Sequence, residues 1–407
     1  MERNREITPI VAAPSKAQFP FVELRLKNFR GFENALLKLD DLTILVGPNG
    51  VGKSTLLEGF EFLKEAVTDS LLVALERRGG LTSIRRRKPG KGNRNDVILS
   101  TVFSHAGARI LYGFRLGASA GNAGYVIRDE VLQSDSPEWD WFRRSDGDFQ
   151  SSRARVQPAL NDESLLLPLV AQQSEIWNFI HYRLRNLGTF AFSTDHLKAE
   201  PPVGGGSSLN RNGSNLGDVL QQVWKKHPDD ATWILEHLQA IVSDLGGLHP
   251  SSSAGRRLIR FDQYADDLRD KVNQFYSSSM SVGTLKSLAI LASLRQPNLP
   301  SLVAIEDIED SIHPGALGIV FDAVVASLDR SPVVMTTHST ELLSHPAATA
   351  ERIRVVTRHQ GASWIHCLAP ELHHLPAYET VGGLLRTNGL VPAGQPETCQ
   401  SWLDLLQ

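Results

Sequence analysis

The chain has 407 residues, a formal net charge of −3 at pH 7 and two cysteines. This length predicts two lobes or more, and the composition excludes a disulfide framework and a protein that coats nucleic acid over its whole surface. No apolar run approaches the ~20 residues that span a bilayer, and the charged stretch from Glu2 to Glu6 lacks the apolar core of a signal peptide. We therefore expect a cytoplasmic protein that does not enter a membrane.

The first 150 residues predict a loose tail followed by a β-rich lobe. Residues 1–19 contain prolines and little periodicity, which is typical of a flexible N-terminal tail. Residues 21–26 alternate between apolar and polar as a strand does. Further strand patterns, separated by turn residues, predict an antiparallel β-meander over residues 97–103, 108–116 and 124–132. We expect residues 20–150 to form one lobe.

A glycine-rich loop follows an apolar strand within this lobe. The strand is residues 42–46, and the loop from Gly47 to Thr55 reads G-P-N-G-V-G-K-S-T, which completes the phosphate-binding pattern G-x-x-x-x-G-K-[ST]. Glycines let backbone amides turn toward phosphate oxygens. Lys53 would reach the β- and γ-phosphates, and Ser54 would bring its hydroxyl to Mg²⁺. The candidate nucleotide-binding residues of this loop are Asn49, Gly50, Val51, Gly52, Lys53, Ser54 and Thr55.

Basic residues crowd the segment from Arg77 to Arg94, which glycines and prolines punctuate. Clustered Lys and Arg on a flexible backbone suit contacts to the phosphates of DNA. The segment has no aromatic residues for base stacking, so a solvated, charged loop explains the pattern equally well. The sequence leaves both interpretations open.

Helical spacing dominates residues 151–280, which we expect to form an inserted helical lobe. The helical patterns cover residues 165–187 and 216–245. Between them, the glycine- and serine-rich stretch 199–214 predicts a flexible surface loop.

Apolar strands and helices alternate from residue 281 onward, which predicts a parallel sheet. We expect residues 281–375 to form the second half of the core, closed by a hairpin, and residues 376–407 to form a C-terminal tail. The overall prediction is an α/β fold with a mixed core sheet, an antiparallel meander and an inserted helical lobe.

Two carboxylates, Glu306 and Asp307, end the apolar strand at residues 302–305. The carboxyl ends of parallel strands open into the same crevice as the phosphate loop. Glu306 would hold Mg²⁺ with its water shell, and Asp307 would orient and deprotonate the attacking water. The alternative is a solvated acidic turn that also includes Glu309 and Asp310.

Two further motifs carry polar groups that suit phosphate. Ser281 and Gly283 begin a helix, where a hydroxyl and backbone amides can bind an anion, although a simple helix cap gives the same pattern. His338 follows the next apolar strand, where a sensor of the γ-phosphate would lie, although an isolated loop histidine is the alternative.

Together these motifs resemble the ABC-type ATPase heads of the SMC, RecF and OLD group, by residue type and by order over about residues 21–375. The elements that match are Phe29-Arg30-Gly31-Phe32 for the opening "NFR-x-F" motif, Gly47 to Thr55 for Walker A, Met280 to Thr284 for the signature, Ile305-Glu306-Asp307 for Walker B and His338 for the switch histidine. The chain is most similar to the small AAA-type ATPases without long coiled coils in anti-phage systems of the Septu and PARIS types, in which Asn212 to Leu216 also has a counterpart.

The resemblance implies a site that one chain does not complete. Such heads form head-to-tail dimers or larger assemblies, in which Ser281 and Gly283 of one protomer close over the ATP held by Lys53 of the other. It implies Asp307, Glu306 and His338 as the catalytic residues. It also implies Mg²⁺ on Ser54 and Glu306, and a phosphate contact from Arg30.

The chain departs from the family pattern at two places. Walker B usually reads Asp then Glu, whereas here the shorter Asp307 stands in the position of the base, so we expect slow hydrolysis. No glutamine occupies the Q-loop, for which residues 192–195 match best by position, with Ser193 or Asp195 as candidates.

The leading functional hypothesis is an ATP-switched dimer that controls a separate effector in anti-phage defence. The residues after Leu368 are too few for the Toprim nuclease that OLD relatives append, so we expect a nuclease or toxin on another chain. One alternative is a RecF-like ATPase that binds DNA in repair or maintenance. The other is a nucleotide-binding scaffold with slow turnover.

Overall fold

The structure is a computed structural model that describes residues 20–87, 95–119, 124–145, 147–153, 158, 161–265, 271–368 and 396–398. The expected N-terminal tail and nearly all of the expected C-terminal tail lie outside the described residues. So do Lys88, Lys91 and Arg94 of the basic segment.

The described part of the chain contains sixteen strands. They are β1 (Phe21–Phe29), β2 (Phe32–Lys38), β3 (Leu42–Val46), β4 (Val97–His105), β5 (Ala108–Ala118), β6 (Tyr125–Ser134), β7 (Phe142–Ser145), β8 (Asp148–Ser151), β9 (Leu187–Phe190), β10 (Leu245–Ser253), β11 (Arg256–Tyr264), β12 (Val272–Tyr276), β13 (Leu302–Ile305), β14 (Val333–Thr336), β15 (Ile353–His359) and β16 (Ala362–Cys367).

Helices connect and cover these strands. They are α1 (Lys53–Thr68), α2 (Leu71–Glu76), α3 (Leu81–Ile84), α4 (Leu167–Val170), α5 (Glu175–Arg185), α6 (Thr194–Lys198), α7 (Leu216–Lys226), α8 (Pro228–Ile241), α9 (Val282–Arg295), α10 (Pro314–Val325) and α11 (Thr340–Leu343). Within the described ranges, none of them combines the length and the apolar character that crossing a bilayer requires.

Most of the described strands form one mixed sheet in the order β8-β7-β6-β5-β4-β1-β2-β16-β15-β3-β14-β13-β9. Strands β8 to β2 are antiparallel neighbours. Strands β15, β3, β14, β13 and β9 run parallel to one another. The mixed sheet with an antiparallel meander is therefore confirmed, and strands β10, β11 and β12 form a separate small sheet.

The central parallel strands are buried on both faces because their side chains alternate between two cores. In β3, Leu45 packs in the core with α1 and α5, whereas Ile44 and Val46 pack in the core with α7 to α10. In β13, Ala304 belongs to the first core and Ile305 to the second. This period-two alternation into two apolar layers is typical of a parallel sheet that helices cover on both sides. In β3, β13 and β14, charged residues therefore appear only beyond the ends of the strands.

Residues 151–280 contain more strand than the helical lobe that their spacing predicts. The pattern over residues 165–187 is α4, α5 and then the start of β9, which pairs in parallel with β13. The second pattern, residues 216–245, ends where β10 begins. Four residues such as Leu187–Phe190 are too short to show a period of two, so apolar character alone does not separate a strand from a helix there. This segment therefore contributes an edge strand to the core sheet as well as helices.

Glu130 of β6 is a fully buried carboxylate that ties the meander to α4. It accepts hydrogen bonds from the Tyr112 hydroxyl (3.0 Å) and from the backbone amides of Leu166 (2.6 Å) and Leu167 (2.9 Å). Burial raises the pKa of Glu130 to about 7, while these donors and nearby Arg144 oppose the rise. The folded chain therefore binds a proton that an unfolded chain releases at lower pH.

Folding stability should accordingly fall as the pH rises from about 5 to 8, by about 3 kcal/mol from this group. The folded pKa is raised, so the protonated form carries the stability that is lost as the pH passes through 7. Glu130→Gln cannot titrate. Chemical denaturation at pH 5 and pH 8 should show that the free energy of unfolding falls more between these two pH values for the wild type than for Glu130→Gln. If the difference in free energy between the two proteins is the same at both pH values, the assignment is contradicted.

Candidate nucleotide-binding site

The loop between β3 and α1 forms a cradle, in which two positions have a backbone conformation and a close packing that only glycine accommodates. Gly47 has φ 146° and Gly52, which precedes α1, has φ 117°. A Cβ at Gly47 would lie 2.2 Å from the Val356 carbonyl oxygen, and one at Gly52 would lie 3.1 Å from the Phe32 ring. The loop is thus packed against β15 and β2, with its outer side left to solvent.

Lys53 lies inside this cradle and is only 6% exposed. Its ammonium donates to the carbonyl oxygens of Gly47 (2.8 Å) and Pro48 (3.2 Å) and contacts Nε2 of His338 at 2.8 Å. Burial lowers the pKa of Lys53, while Asp307 and Glu309 oppose that shift. The structure therefore brings Lys53, His338 and two carboxylates into one electrostatic group.

The other loop residues differ in exposure. Asn49, Gly50 and Ser54 are exposed, Thr55 is half-buried, and Val51 packs into the core. Ser54 and Thr55 line a cleft on the outer face of α1. The hydroxyl of Ser54 is accordingly open to a ligand.

Asp307 follows β13 in an unusual backbone conformation, with φ 44°. Its amide donates to the Thr336 hydroxyl oxygen (2.8 Å), and that hydroxyl donates to Oδ1 of Asp307 (2.9 Å). Thr336 ends the neighbouring strand β14, so the two parallel strands hold the carboxylate at their shared end. Left-handed backbone at a non-glycine residue persists only where the surroundings fix it.

Glu306 lies one residue before Asp307 and carries a different partner. Its Oε2 atom is 3.2 Å from Nη2 of Arg211, which comes from the segment between α6 and α7. The amide of Glu306 donates to the Phe190 carbonyl at the end of β9 (2.8 Å). Glu306 is therefore aimed toward α1, and Asp307 toward β14.

Glu309 is a site residue that the sequence places only in an acidic turn. Its Oε1 accepts from the backbone amide of His338 (2.5 Å), and its charge reaches Lys53. Glu309 therefore holds the loop that carries the histidine. The sequence shows only that Glu309 lies three residues after Glu306. That spacing does not indicate that the Glu309 side chain faces His338.

Ser281 and Gly283 lie at the start of α9. The hydroxyl of Ser281 accepts from the Thr284 amide (3.1 Å) as a helix cap. A Cβ at Gly283 would lie 2.6 Å from the Ser311 carbonyl oxygen. No hydrogen bond among the described residues joins Ser281 or Gly283 to the phosphate loop, and Ser281 is exposed. The structure does not bring these two residues together with Lys53 in one chain.

Arg30 occupies the turn between β1 and β2 with φ 49°. Its guanidinium binds Glu58 of α1 through two bonds (2.6 and 3.2 Å) and the Ser83 carbonyl (3.2 Å). It lines the same cleft as Ser54 and Thr55. The structure therefore places Arg30 at the phosphate loop, with a glutamate as its partner.

Most described arginines of the basic segment are paired within the chain. Arg77 binds Glu65 (2.8 Å) and Asp69, and Arg78 binds Glu58 (3.2 Å) and Glu65. Arg86 binds Glu33 at 3.1 Å, and Arg85 is only 6% exposed. These side chains fasten the segment to α1 and β2, so in the described part it is not a solvated basic arm.

The fold and the phosphate loop together define a P-loop ATPase domain with the architecture of an SMC head. A family model described as "AAA domain, putative AbiEii toxin, Type IV TA system" matches residues 42–344. The chain belongs to this family. A search of curated proteins finds no match.

Solved structures of SMC heads match this chain at low sequence identity. An SMC head bound to the C-terminal winged-helix domain of ScpA is 13% identical, with a TM-score of 0.56, over 86% of this chain and 98% of that one. An SMC head from Thermotoga maritima is 12% identical, with a TM-score of 0.46, over 86% and 99%. The first of these likenesses shows the fold alone.

Thr336 should matter to both folding and the site because it both donates to and accepts from Asp307. Thr336→Val keeps the shape and removes both bonds, so we expect a loss of about 1–3 kcal/mol in the free energy of unfolding. Thr43→Val is the matched control, since the buried Thr43 hydroxyl accepts one bond, from the Asp40 amide (3.2 Å). Equal losses in urea denaturation would contradict a special role for Thr336.

Proposed function

We propose that this chain binds ATP with Mg²⁺ at the phosphate loop and hydrolyses it. The observation that carries the proposal is the meeting of Lys53, His338 and Asp307 at the shared end of β3, β14 and β13. The γ-phosphate needs a cation, a sensor and a base at one place, and these residues supply them.

The ammonium of Lys53 should bind phosphate more strongly than it binds its present partners. Its donors now point to two carbonyl oxygens and to a histidine, and burial lowers its pKa. Phosphate oxygens would supply anionic acceptors, which make stronger hydrogen bonds to an ammonium than neutral oxygens do. Binding would thereby release His338 from Lys53.

The residues present fit a magnesium ion. Mg²⁺ prefers oxygen ligands and takes one or two protein groups together with phosphates and waters. Ser54 offers an exposed hydroxyl, and the Glu306 carboxylate already carries a cationic partner, Arg211, at 3.2 Å. Bound there, the ion would neutralise charge on the β- and γ-phosphate oxygens.

Asp307 would accept the proton of the attacking water. Its carboxylate is held by Thr336 through Oδ1, and Oδ2 would be the atom that takes the proton. Water oxygen attacks the γ-phosphorus, the bond to the β-phosphate oxygen breaks, and ADP and phosphate leave. The shorter side chain of Asp307 makes this step slow.

A second copy of the chain would complete the site with Ser281 and Gly283. Support comes from the exposure of Ser281 and from its lack of any described bond to its own phosphate loop. The start of α9 offers amides to an anion from another protomer. ATP between two protomers would then stabilise a closed dimer, because the open state lacks those contacts.

Control of a separate effector, in defence against phage, is the role that we assign to this switch. The description of the family names a toxin and a toxin–antitoxin system. One similar SMC head is bound to a domain of another protein, ScpA. The paired arginines of the basic segment favour an effector protein over DNA as the partner.

Lys53→Ala should abolish phosphate release and weaken ATP binding at least tenfold, because its ammonium is the cation buried within the phosphate loop. Fluorescence titration and a phosphate-release assay measure the two effects. Arg330→Ala, far from the loop and paired with Asp230 (2.5 Å), is the control. Phosphate release that persists in Lys53→Ala would contradict the site, and no release from the wild type would leave a binding scaffold.

Asp307→Asn should trap ATP and hold the dimer closed, whereas Ser281→Arg should block closure without stopping binding. Ser281→Arg both removes the hydroxyl that caps α9 and adds a large side chain. Ser281→Ala is its control, because it removes the hydroxyl without adding bulk. Sedimentation with ATP should give a dimer for Asp307→Asn and a monomer for Ser281→Arg.

The same mass for Asp307→Asn and Ser281→Arg would refute the dimer mechanism. The trapped Asp307→Asn chain also tests the effector, because a closed dimer purified from its native cells should retain its partner. Recovery of this chain alone, with and without ATP, would count against effector control.

A further inference from the structure

Arg211 joins the phosphate-loop helix to the carboxylate at the end of β13. Its Nη1 atom lies 2.8 Å from Oε2 of Glu61 on α1, and its Nη2 atom lies 3.2 Å from Oε2 of Glu306. The Arg211 side chain is 44% exposed, so solvent reaches it. One cation thus holds two carboxylates from segments that are far apart in the chain.

The backbone around Arg211 is fixed in place. The carbonyl of Arg211 accepts from the Ala191 amide (2.9 Å), and the carbonyl of Asn212 accepts from the Ser193 amide (3.1 Å). Gly213 has φ 79°, and a Cβ there would lie 2.6 Å from Leu197. The turn is therefore docked on the segment after β9, where the sequence lacks a Q-loop glutamine. The stretch that was expected to be a flexible loop presents Arg211 from a defined position.

Glu61 competes with Glu306 for this arginine. Burial raises the pKa of Glu61, and the positive charge of Arg211 lowers it. Glu58 and Glu65 lie on the same face of α1 and bind Arg30, Arg77 and Arg78. Arg78 also lies 3.8 Å from Glu61, but Arg211, at 2.8 Å, is the nearer cation and the one that Glu61 shares with Glu306.

We propose that Arg211 is the resident counter-ion of Glu306 and that Glu306 exchanges it for Mg²⁺ when the nucleotide binds, leaving Arg211 on Glu61. This inference rests on the proposed function, because it takes Glu306 as the metal-side carboxylate. Two cations close to one carboxylate oxygen repel each other, so the arginine and the metal bind Glu306 in competition. Arg211 acts through Glu306, as a positioning residue.

The competition predicts opposite effects from the two partners. The quantity to measure is the metal enhancement, defined as the apparent Kd of a fluorescent ATP analogue in EDTA divided by its apparent Kd in saturating Mg²⁺. Arg211→Gln removes the competitor and should raise the enhancement about two- to fivefold, the range for a half-exposed ion pair. Glu61→Gln removes the alternative partner, leaves Arg211 on Glu306, and should lower the enhancement by a similar factor.

A double variant separates this exchange from a general change in charge. In the Arg211→Gln background, Glu61→Gln should have little effect, because no arginine is left to redistribute. Arg330→Gln carries the same change in charge and lies near the start of β14, at the other end from Asp307, so its enhancement should equal that of the wild type.

The outcomes distinguish the inference from the function on which it rests. If the wild type binds no nucleotide in either buffer, the proposed function fails, and this inference fails with it. If the wild type binds but Arg211→Gln leaves the enhancement unchanged, only the inference fails. If Glu61→Gln changes the metal enhancement equally in the wild type and in Arg211→Gln, the change arises from the general electrostatic field and not from Arg211. That result would also overturn the inference.

Discussion

Burial of the central parallel strands on both faces is the constraint on which the rest of the structure depends. Strands β3, β14 and β13 have side chains in two apolar cores and contain no charged residue along their length. Charged groups begin only where each of these strands stops. Lys53, His338 and Asp307 therefore meet at one edge, because three strands of similar length and the same direction end there.

Charge at that edge is balanced locally. Carboxylates on the outer face of α1 take arginines from the β1–β2 turn, from the segment after α2 and from the turn that contains Arg211. The pairs of Arg30 and Arg211 are partly exposed and stabilise the fold only modestly, whereas the pair of Arg78 and Glu65 is nearly buried. Their arrangement matters more than their strength, because a triphosphate or a cation that enters the cleft must change these pairings.

Motifs that are contiguous in the chain could be recognised from the sequence. The phosphate loop, the strand at residues 302–305 and the hairpin near the end each contain their own pattern. Arg211 could not be recognised, because its contact with Glu306 spans 95 residues. Neither could the hydroxyl of Thr336, since a threonine at the end of a strand looks like any other β-branched residue. Such contacts arise only when the folded sheet aligns its strand ends.

The lack of room for a Cβ at Gly283, beside the Ser311 carbonyl oxygen, changes what this glycine can tell us. A side chain at this position would push α9 away from the segment that follows Walker B in the same chain. Internal packing alone therefore accounts for a glycine here, with or without a second protomer. Among the described residues, Ser281 meets no such packing demand: its hydroxyl caps α9 and bonds the Thr284 hydroxyl, and other small polar residues are also suited to the cap. Of these two residues, the serine is therefore the one whose identity can report on a neighbouring molecule.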